Sequence, residues 1–318
     1  MEYGKFVEVI EERIRDIVGE GYDVSIRQSL KNNSTKLCGI VISKTDEKIS
    51  PSFYLESYYD KYNEGMDIDA IAHHIVSEYR KISENGPKGL KQFKFPNTFE
   101  DAKERIIARL FNAQMNEEII KDCPHVRFKD LVIMFFYLVH QHDNETATIR
   151  ITHDIIRMWG INTEEFVQCA LDNTVKTYPV HIRDLKDVIE EYTVNRQIPL
   201  GICEGEQGIV EGGDCGLGPV YVISNSYNSY GAICMLYNGL SKEIAREFQS
   251  DVIFIPSSIH EVICMKKTEE TDMEGLLDCI ETVNDTQVAL DELLSYNAYI
   301  YLRKEDKFIS YTCYGYES

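Results

Sequence analysis

The spacing of apolar residues along the chain predicts β-hairpins that alternate with helices. The clearest hairpin lies in residues 251–267, where apolar runs at 252–255 and 259–265 are separated by Pro256-Ser257-Ser258. Short β-branched runs on both sides of turn-forming residues are typical of two paired strands. We expect this hairpin at the centre of a core sheet, with the ionisable pair His260-Glu261 at its bend.

The first part of the chain, residues 1–84, predicts a helix, a hairpin and a pair of helices. Apolar positions recur at helical spacing over 3–18, then alternate over 22–30 and return through 37–42. Ser50-Pro51 is typical of a helix start, because serine caps a first turn and proline fits its first position.

Residues 98–200 predict a central α+β unit. Thr98 is expected to cap a helix that runs to about residue 113, and a buried strand at 131–140 is expected to return through 146–151. Thr152 is expected to cap a short helix that Trp159-Gly160 ends, and further helices follow where apolar positions recur at helical spacing behind capping residues.

A glycine-rich loop at 201–218 leads into a last α+β unit, residues 219–318. There, 220–224 and 230–236 predict a second hairpin, and a strand at 296–303 ends the predicted fold. The whole pattern favours an α+β protein with antiparallel or mixed sheets built from hairpins, packed helices, and two or three subdomains.

The charge of the chain narrows the classes of partner. With 33 basic and 53 acidic residues, the net charge is −20, which disfavours binding to a nucleic-acid backbone. An acidic surface suits a basic protein partner, or a protein that mimics DNA. It is also compatible with a solvated surface that has no partner.

The cysteines and the apolar runs point to a cytoplasmic protein. The nine cysteines are scattered without a CxxC pair, which favours free thiols in a reducing compartment. The N-terminus lacks the basic region and apolar core of a signal peptide. The most apolar run, 131–139, is too short to span a membrane, so no membrane association is expected.

The bend at residues 256–261 holds the candidate catalytic residues Ser258, His260 and Glu261. His260-Glu261 begins like the zinc-protease motif HExxH, but Cys264 stands in place of the second histidine and the run is typical of a strand. No GxSxG surrounds the serines, so a turn with local pairing is an equally simple interpretation.

His140, His142 and Asp143 form the candidate metal site, because two strand residues that are two positions apart share one face. A polar hairpin turn explains the same residues.

The loop at 201–218 has no GK[ST] or GxGxxG and carries acids without a base, which excludes a phosphate-binding loop. The sequence therefore predicts no cofactor.

Several runs resemble an uncharacterised bacterial family. They are YLESYYDKYNEG at 54–65, RLFNAQMNEEIIKDCPHVRFKDLVIMFFYLV at 109–139, IPSSIHEVI at 255–263 and VNDTQVALDELLSYNAYIY at 283–301. They resemble domain of unknown function family 5688, which occurs mainly in Gram-positive anaerobes of the gut. The plan around ITHDIIRMWGINTEEFVQCALDNT is also similar to domain of unknown function 1444. Neither resemblance implies an activity, a cofactor or a site residue.

The leading hypothesis is therefore a non-catalytic cytoplasmic binding or regulatory protein with an acidic surface and a protein partner. The alternative is a hydrolase of unfamiliar type centred on His260 and Glu261. A metal site at His140 and His142 is a third hypothesis.

Overall fold

The computed structural model describes residues 1–44, 50–85, 93–142, 145–196, 219–256 and 258–317. The chain divides into two compact units, Met1–Pro96 and Asn97–Ser318. The second unit contains both predicted units, 98–200 and 219–318, and strands from both contribute to one sheet. The predicted glycine-rich loop at 201–218 lies outside the described residues.

The first unit packs helices against a three-stranded antiparallel sheet in the described residues. Its strands are β1 (Tyr22–Leu30), β2 (Lys36–Lys44) and β3 (Ser52–Tyr54), and its helices are Tyr3–Val18, Glu56–Asn63 and Ile68–Asn85, with a short 3-10 turn at Asn32–Ser34. The predicted first helix and the β1–β2 hairpin are confirmed. Phe6, Ile10 and Ile14 of the first helix are fully buried against Ile40 and Ile42 of β2.

The predicted helix start at Ser50-Pro51 is wrong. Residues 52–54 pair with β2 instead, in a register that places Ser52 opposite Val41 and Tyr54 opposite Gly39. The helix begins only at Glu56. A local capping pattern does not reveal that the residues after it complete the edge of a sheet.

In the second unit, a four-stranded antiparallel sheet is described around one long strand, β6. The strands are β4 (Ile106–Asn112), β5 (His125–Phe128), β6 (Leu131–His142) and β7 (Glu145–Arg150). β4 pairs with one edge of β6, whereas β5 and β7 pair with the other edge. Short helices at Phe99–Ala102 and Glu117–Ile120 and a 3-10 turn at Lys103–Arg105 flank the strands.

The predicted helix from Thr98 to about residue 113 is wrong, because most of it is β4. Thr98 does cap a helix, but that helix ends at Ala102. All seven residues of β4 are buried, so its sequence lacks the alternation of polar and apolar residues that marks a half-exposed strand. One face packs under the helix Thr163–Thr177, where Thr174 accepts a hydrogen bond from the Ala108 amide at 2.7 Å.

The second sheet of this unit has seven described strands in the order β14-β13-β12-β10-β11-β9-β8, all antiparallel. The strands are β8 (Val180–Asp184), β9 (Val220–Asn225), β10 (Val252–Pro256), β11 (Val262–Lys266), β12 (Ala298–Leu302), β13 (Lys307–Thr312) and β14 (Gly315–Glu317). The helices His153–Trp159, Thr163–Thr177, Leu185–Arg196, Leu240–Phe248 and Met273–Gln287 complete the unit. The α+β fold class and the central β10–β11 hairpin are confirmed.

Two other predictions in this region need correction. Residues 231–236 form a 3-10 segment, Gly231–Leu236, rather than the second strand of a hairpin with β9. β8 supplies the neighbour of β9 on that side. The fold also continues past residue 303, because β13 and β14 extend the sheet beyond the predicted last strand.

Candidate functional site

The bend between β10 and β11 holds His260 by its backbone on both sides. The His260 amide donates to Oγ of Ser258 at 3.0 Å. The His260 carbonyl accepts two hydrogen bonds, from Oγ of Ser224 at 2.8 Å and from the Gly231 amide at 3.0 Å. These contacts fix the position from which the imidazole projects.

The imidazole of His260 is engaged at both of its nitrogens. Nδ1 accepts from the Tyr230 amide at 3.2 Å, and Nε2 lies 3.4 Å from Oε1 of Glu292. The ring is 30% exposed and the Glu292 side chain 46% exposed. Because Nδ1 is an acceptor, the neutral ring carries its proton on Nε2, where it faces the carboxylate.

The other two predicted catalytic residues occupy the same bend in different roles. Oγ of Ser258 accepts from the His260 amide, and the Ser258 amide donates to the Glu261 carbonyl at 3.3 Å. The carboxylate that faces the imidazole belongs to Glu292, whose own carbonyl accepts from Ile259 at 2.9 Å. Ser257 lies outside the described residues.

A tight loop after β9 presents Tyr230 to this histidine. Asn225 is buried, and its side chain accepts from the Tyr227 amide at 2.9 Å and donates to the Ser229 carbonyl at 2.7 Å. Tyr230 has a φ of +52°, a left-handed conformation that is rare for a bulky residue. The centres of the Tyr230 and His260 rings thereby lie 5.5 Å apart.

The adjacent Gly231 allows the backbones to approach each other. A Cβ atom there would lie 2.6 Å from the Asn225 amide and 2.7 Å from the His260 carbonyl, and it would also collide with Oγ of Ser224. Only glycine fits this position without displacing the loop or the bend.

Arg109 of β4 extends the same row of side chains into the core. Its guanidinium carbon lies 3.8 Å from the centre of the Tyr230 ring and 4.9 Å from that of Phe136. Its Nη1 donates to Oγ1 of Thr148 at 3.3 Å. The residue is only 7% exposed, and within the described ranges no carboxylate pairs with it.

Burial lowers the pKa of Arg109, while the neighbouring Tyr230 and Tyr178 act in the opposite direction. Desolvation disfavours a charged group, and hydrogen bonds and ring contacts offset only part of that cost. The row Glu292–His260–Tyr230–Arg109 thus runs from a half-exposed acid to a buried base. We call these four residues the His260 row.

Sequence reasoning missed three members of the His260 row. Arg109 is the charged residue in the apolar run IIARLF. Because charged residues are rarely buried, such a position indicates a functional or structural role. Tyr230 and Glu292 carry no comparable local signal, because their role depends on which loops meet in space.

The candidate metal ligands lie at the distal end of β6. The β6–β7 register shifts between Leu138 and His140, ahead of both histidines, and the pairing with β7 is regular from His140 to His142. Asp143 lies outside the described residues. In the described part of the chain, no group of three or more His, Cys, Asp or Glu side chains is placed to hold a metal ion.

Comparison with known proteins identifies the family. The model of a family of unknown function, DUF5688, matches residues 3–303. The chain belongs to this family. The DUF5688 match covers most of both compact units and the whole His260 row, and it ends before β13. No curated protein and no solved structure shows significant similarity to the chain.

None of the described helices combines the length and the apolar character needed to cross a membrane.

Proposed function

We propose that this protein is a non-catalytic binding or regulatory protein. The observation that carries the proposal is the engagement of both imidazole nitrogens of His260, one by the Tyr230 amide and one by Glu292. A histidine that activates a serine must accept the serine proton, yet Ser258 is positioned by the His260 amide. His260 is therefore best explained as a residue that fixes the shape of the bend.

The proposed partner is a basic protein in the bacterial cytoplasm. A net charge of −20 attracts a basic surface and accelerates its association, whereas it repels a nucleic-acid backbone. A DNA-binding protein is one such partner, if the acidic surface mimics the charge of DNA. Electrostatic association of this kind weakens as salt screens the charges.

Capture of the partner from an extract of the native bacterium tests this proposal. The immobilised full chain is compared with an unrelated acidic protein of similar net charge, at about 0.1 M and 1 M salt, where the Debye length falls from about 10 Å to about 3 Å. We expect one basic protein to be retained in stoichiometric amount by this chain only, and to be released at high salt. Retention of the same proteins by both columns would contradict the proposal.

A hydrolase centred on His260 is the second candidate. The contact that favours it is the 3.4 Å approach of Nε2 to the Glu292 carboxylate at a position open to solvent. A carboxylate that orients an imidazole is a recurring part of general-base sites. This candidate requires Glu292, rather than the predicted Glu261, as the acidic partner.

A further inference from the structure

We propose that Arg109 is the anchor of a binding site for the carboxylate group of a small ligand. This site goes beyond the proposed partner binding and does not depend on it. The residues that form it are Arg109, Thr148 and the two rings of Tyr230 and Phe136.

The first argument is the missing counter-charge. Arg109 is 7% exposed, and no described carboxylate neutralises it. A buried charge ordinarily has an ionic partner, because water no longer solvates it. The row's own acid, Glu292, contacts His260 instead. A ligand anion at the guanidinium would supply the absent partner.

The second argument is the shape of the guanidinium edge, where Thr148 and the Tyr178 hydroxyl engage some of the five N–H donors and leave the others for a ligand. Rings that stack on a guanidinium cover its flat faces and leave its N–H donors in the plane, at the edge. Phe136 projects from β6, and Tyr230 reaches Arg109 from the loop after β9. Donors arranged in one plane match the two oxygens of a carboxylate, which they bind with two parallel hydrogen bonds.

The third argument is access. Arg109 reaches past β6 to Thr148, which is partly exposed on β7, and β7 pairs with β6 alone among the described strands. The hydroxyl of Thr148 can also donate to an anion held at the guanidinium edge. Thr148, which is partly exposed, thus marks the side from which a small ligand would approach the guanidinium edge.

Thermal unfolding of the full chain in sodium acetate tests this site, with sodium chloride at equal ionic strength as the reference. Acetate is expected to raise the melting temperature of the wild type in a concentration-dependent way, because it binds only the folded state. Arg109→Lys keeps the charge but loses the planar fork, so it should lose the acetate effect. Thr148→Val should weaken acetate binding by severalfold.

Arg157→Lys is the matched control, because Arg157 is an exposed arginine paired with Asp154. It should respond to acetate as the wild type does. If Arg109→Lys does not fold, Thr148→Val still provides the comparison. The proposal is overturned if acetate stabilises the wild type no more than chloride does, or if both Thr148→Val and any folded Arg109→Lys respond fully.

Inorganic phosphate serves as a second probe of the same site. The planar fork matches carboxylate and phosphate alike, but the apolar rings beside it should favour the singly charged acetate over the more strongly hydrated phosphate at equal concentration. An Arg109-dependent response to phosphate without one to acetate would overturn the carboxylate assignment. Partner capture from extracts has a separate readout, so failure of either proposal can be recognised independently.

Discussion

Glu292 contacts the β10–β11 bend twice, once through its carboxylate at 3.4 Å from Nε2 of His260 and once through its carbonyl, which accepts from the Ile259 amide at 2.9 Å. The segment before β12 thus holds the β10–β11 bend as well as the imidazole. This arrangement assigns the tautomer of the neutral ring, because Nδ1 is already an acceptor of the Tyr230 amide.

We therefore predict that the neutral imidazole of His260 is the Nε2–H tautomer. Long-range nitrogen–proton correlation spectra of the imidazole ring report which nitrogen carries the proton. An Nδ1–H tautomer would contradict the hydrogen bond from Tyr230.

Gly231→Ala is predicted to destabilise the second unit by about 1–3 kcal/mol, because the new methyl group would overpack the loop against the bend. Its Cβ would lie 2.7 Å from the His260 carbonyl. Chemical denaturation measures the change. Gly4→Ala is the control, since nothing lies within 4 Å of its Cβ and alanine favours a helix. Equal stability of both variants would refute the close approach at Gly231.

The sequence predicts the parts of this fold that depend on local pattern. The β10–β11 hairpin follows from two β-branched runs around Pro256, and the helix after Thr152 begins and ends where its capping residues predict. The β4 strand is not predicted, because burial on both faces removes the alternation of polar and apolar residues. The remaining spacing of apolar residues is also typical of a helix.

The candidate site is predicted only in part, for a related reason. His260 stands out as an ionisable residue at a bend, but its contacts with Tyr230 and Glu292 join three separate loops. Such contacts are set by the order of strands in the sheet, and local patterns carry no information about that order. Arg109 is the exception, since a charged residue in a buried run is visible in the sequence.

Asp130→Asn is predicted to cost about 1–3 kcal/mol, since it removes the charge from two short hydrogen bonds. Oδ1 accepts from the fully buried Tyr299 hydroxyl and Oδ2 from Oγ of Ser295, both at 2.6 Å. Burial and Asp130 both raise the pKa of Tyr299, which keeps its hydroxyl a donor. Asp122→Asn, at an exposed position, should change the free energy of unfolding by less than about 0.5 kcal/mol. Equal effects in denaturant titrations would contradict a structural role for Asp130.

Alkaline pH is predicted to destabilise the fold through Cys264. Burial raises the pKa of this thiol from 9.0 to about 12. Below pH 9 the thiol is neutral in the folded and in the unfolded chain, and its contribution to the free energy of unfolding is fully present. Between pH 9 and 12 the unfolded chain loses this proton while the folded chain keeps it, so stability falls by about 1.4 kcal/mol per pH unit.

The slope of unfolding free energy against pH, measured from pH 9 to 10.5, provides the test. Cys264→Val removes the ionisable group and should flatten this slope relative to the wild type, whatever its effect on stability at pH 7. An unchanged slope would show that Cys264 does not contribute to the loss.

A turnover assay with the wild type, His260→Gln and His153→Gln tests most directly the claim that the protein does not catalyse hydrolysis. The substrates are p-nitrophenyl acetate, p-nitrophenyl phosphate and a casein digest. His153 is exposed, so its variant controls for the loss of a surface imidazole. We predict that all three proteins leave each substrate at its buffer rate. Hydrolysis by the wild type that falls at least tenfold in His260→Gln, but persists in His153→Gln, would contradict the binding function and establish the hydrolase.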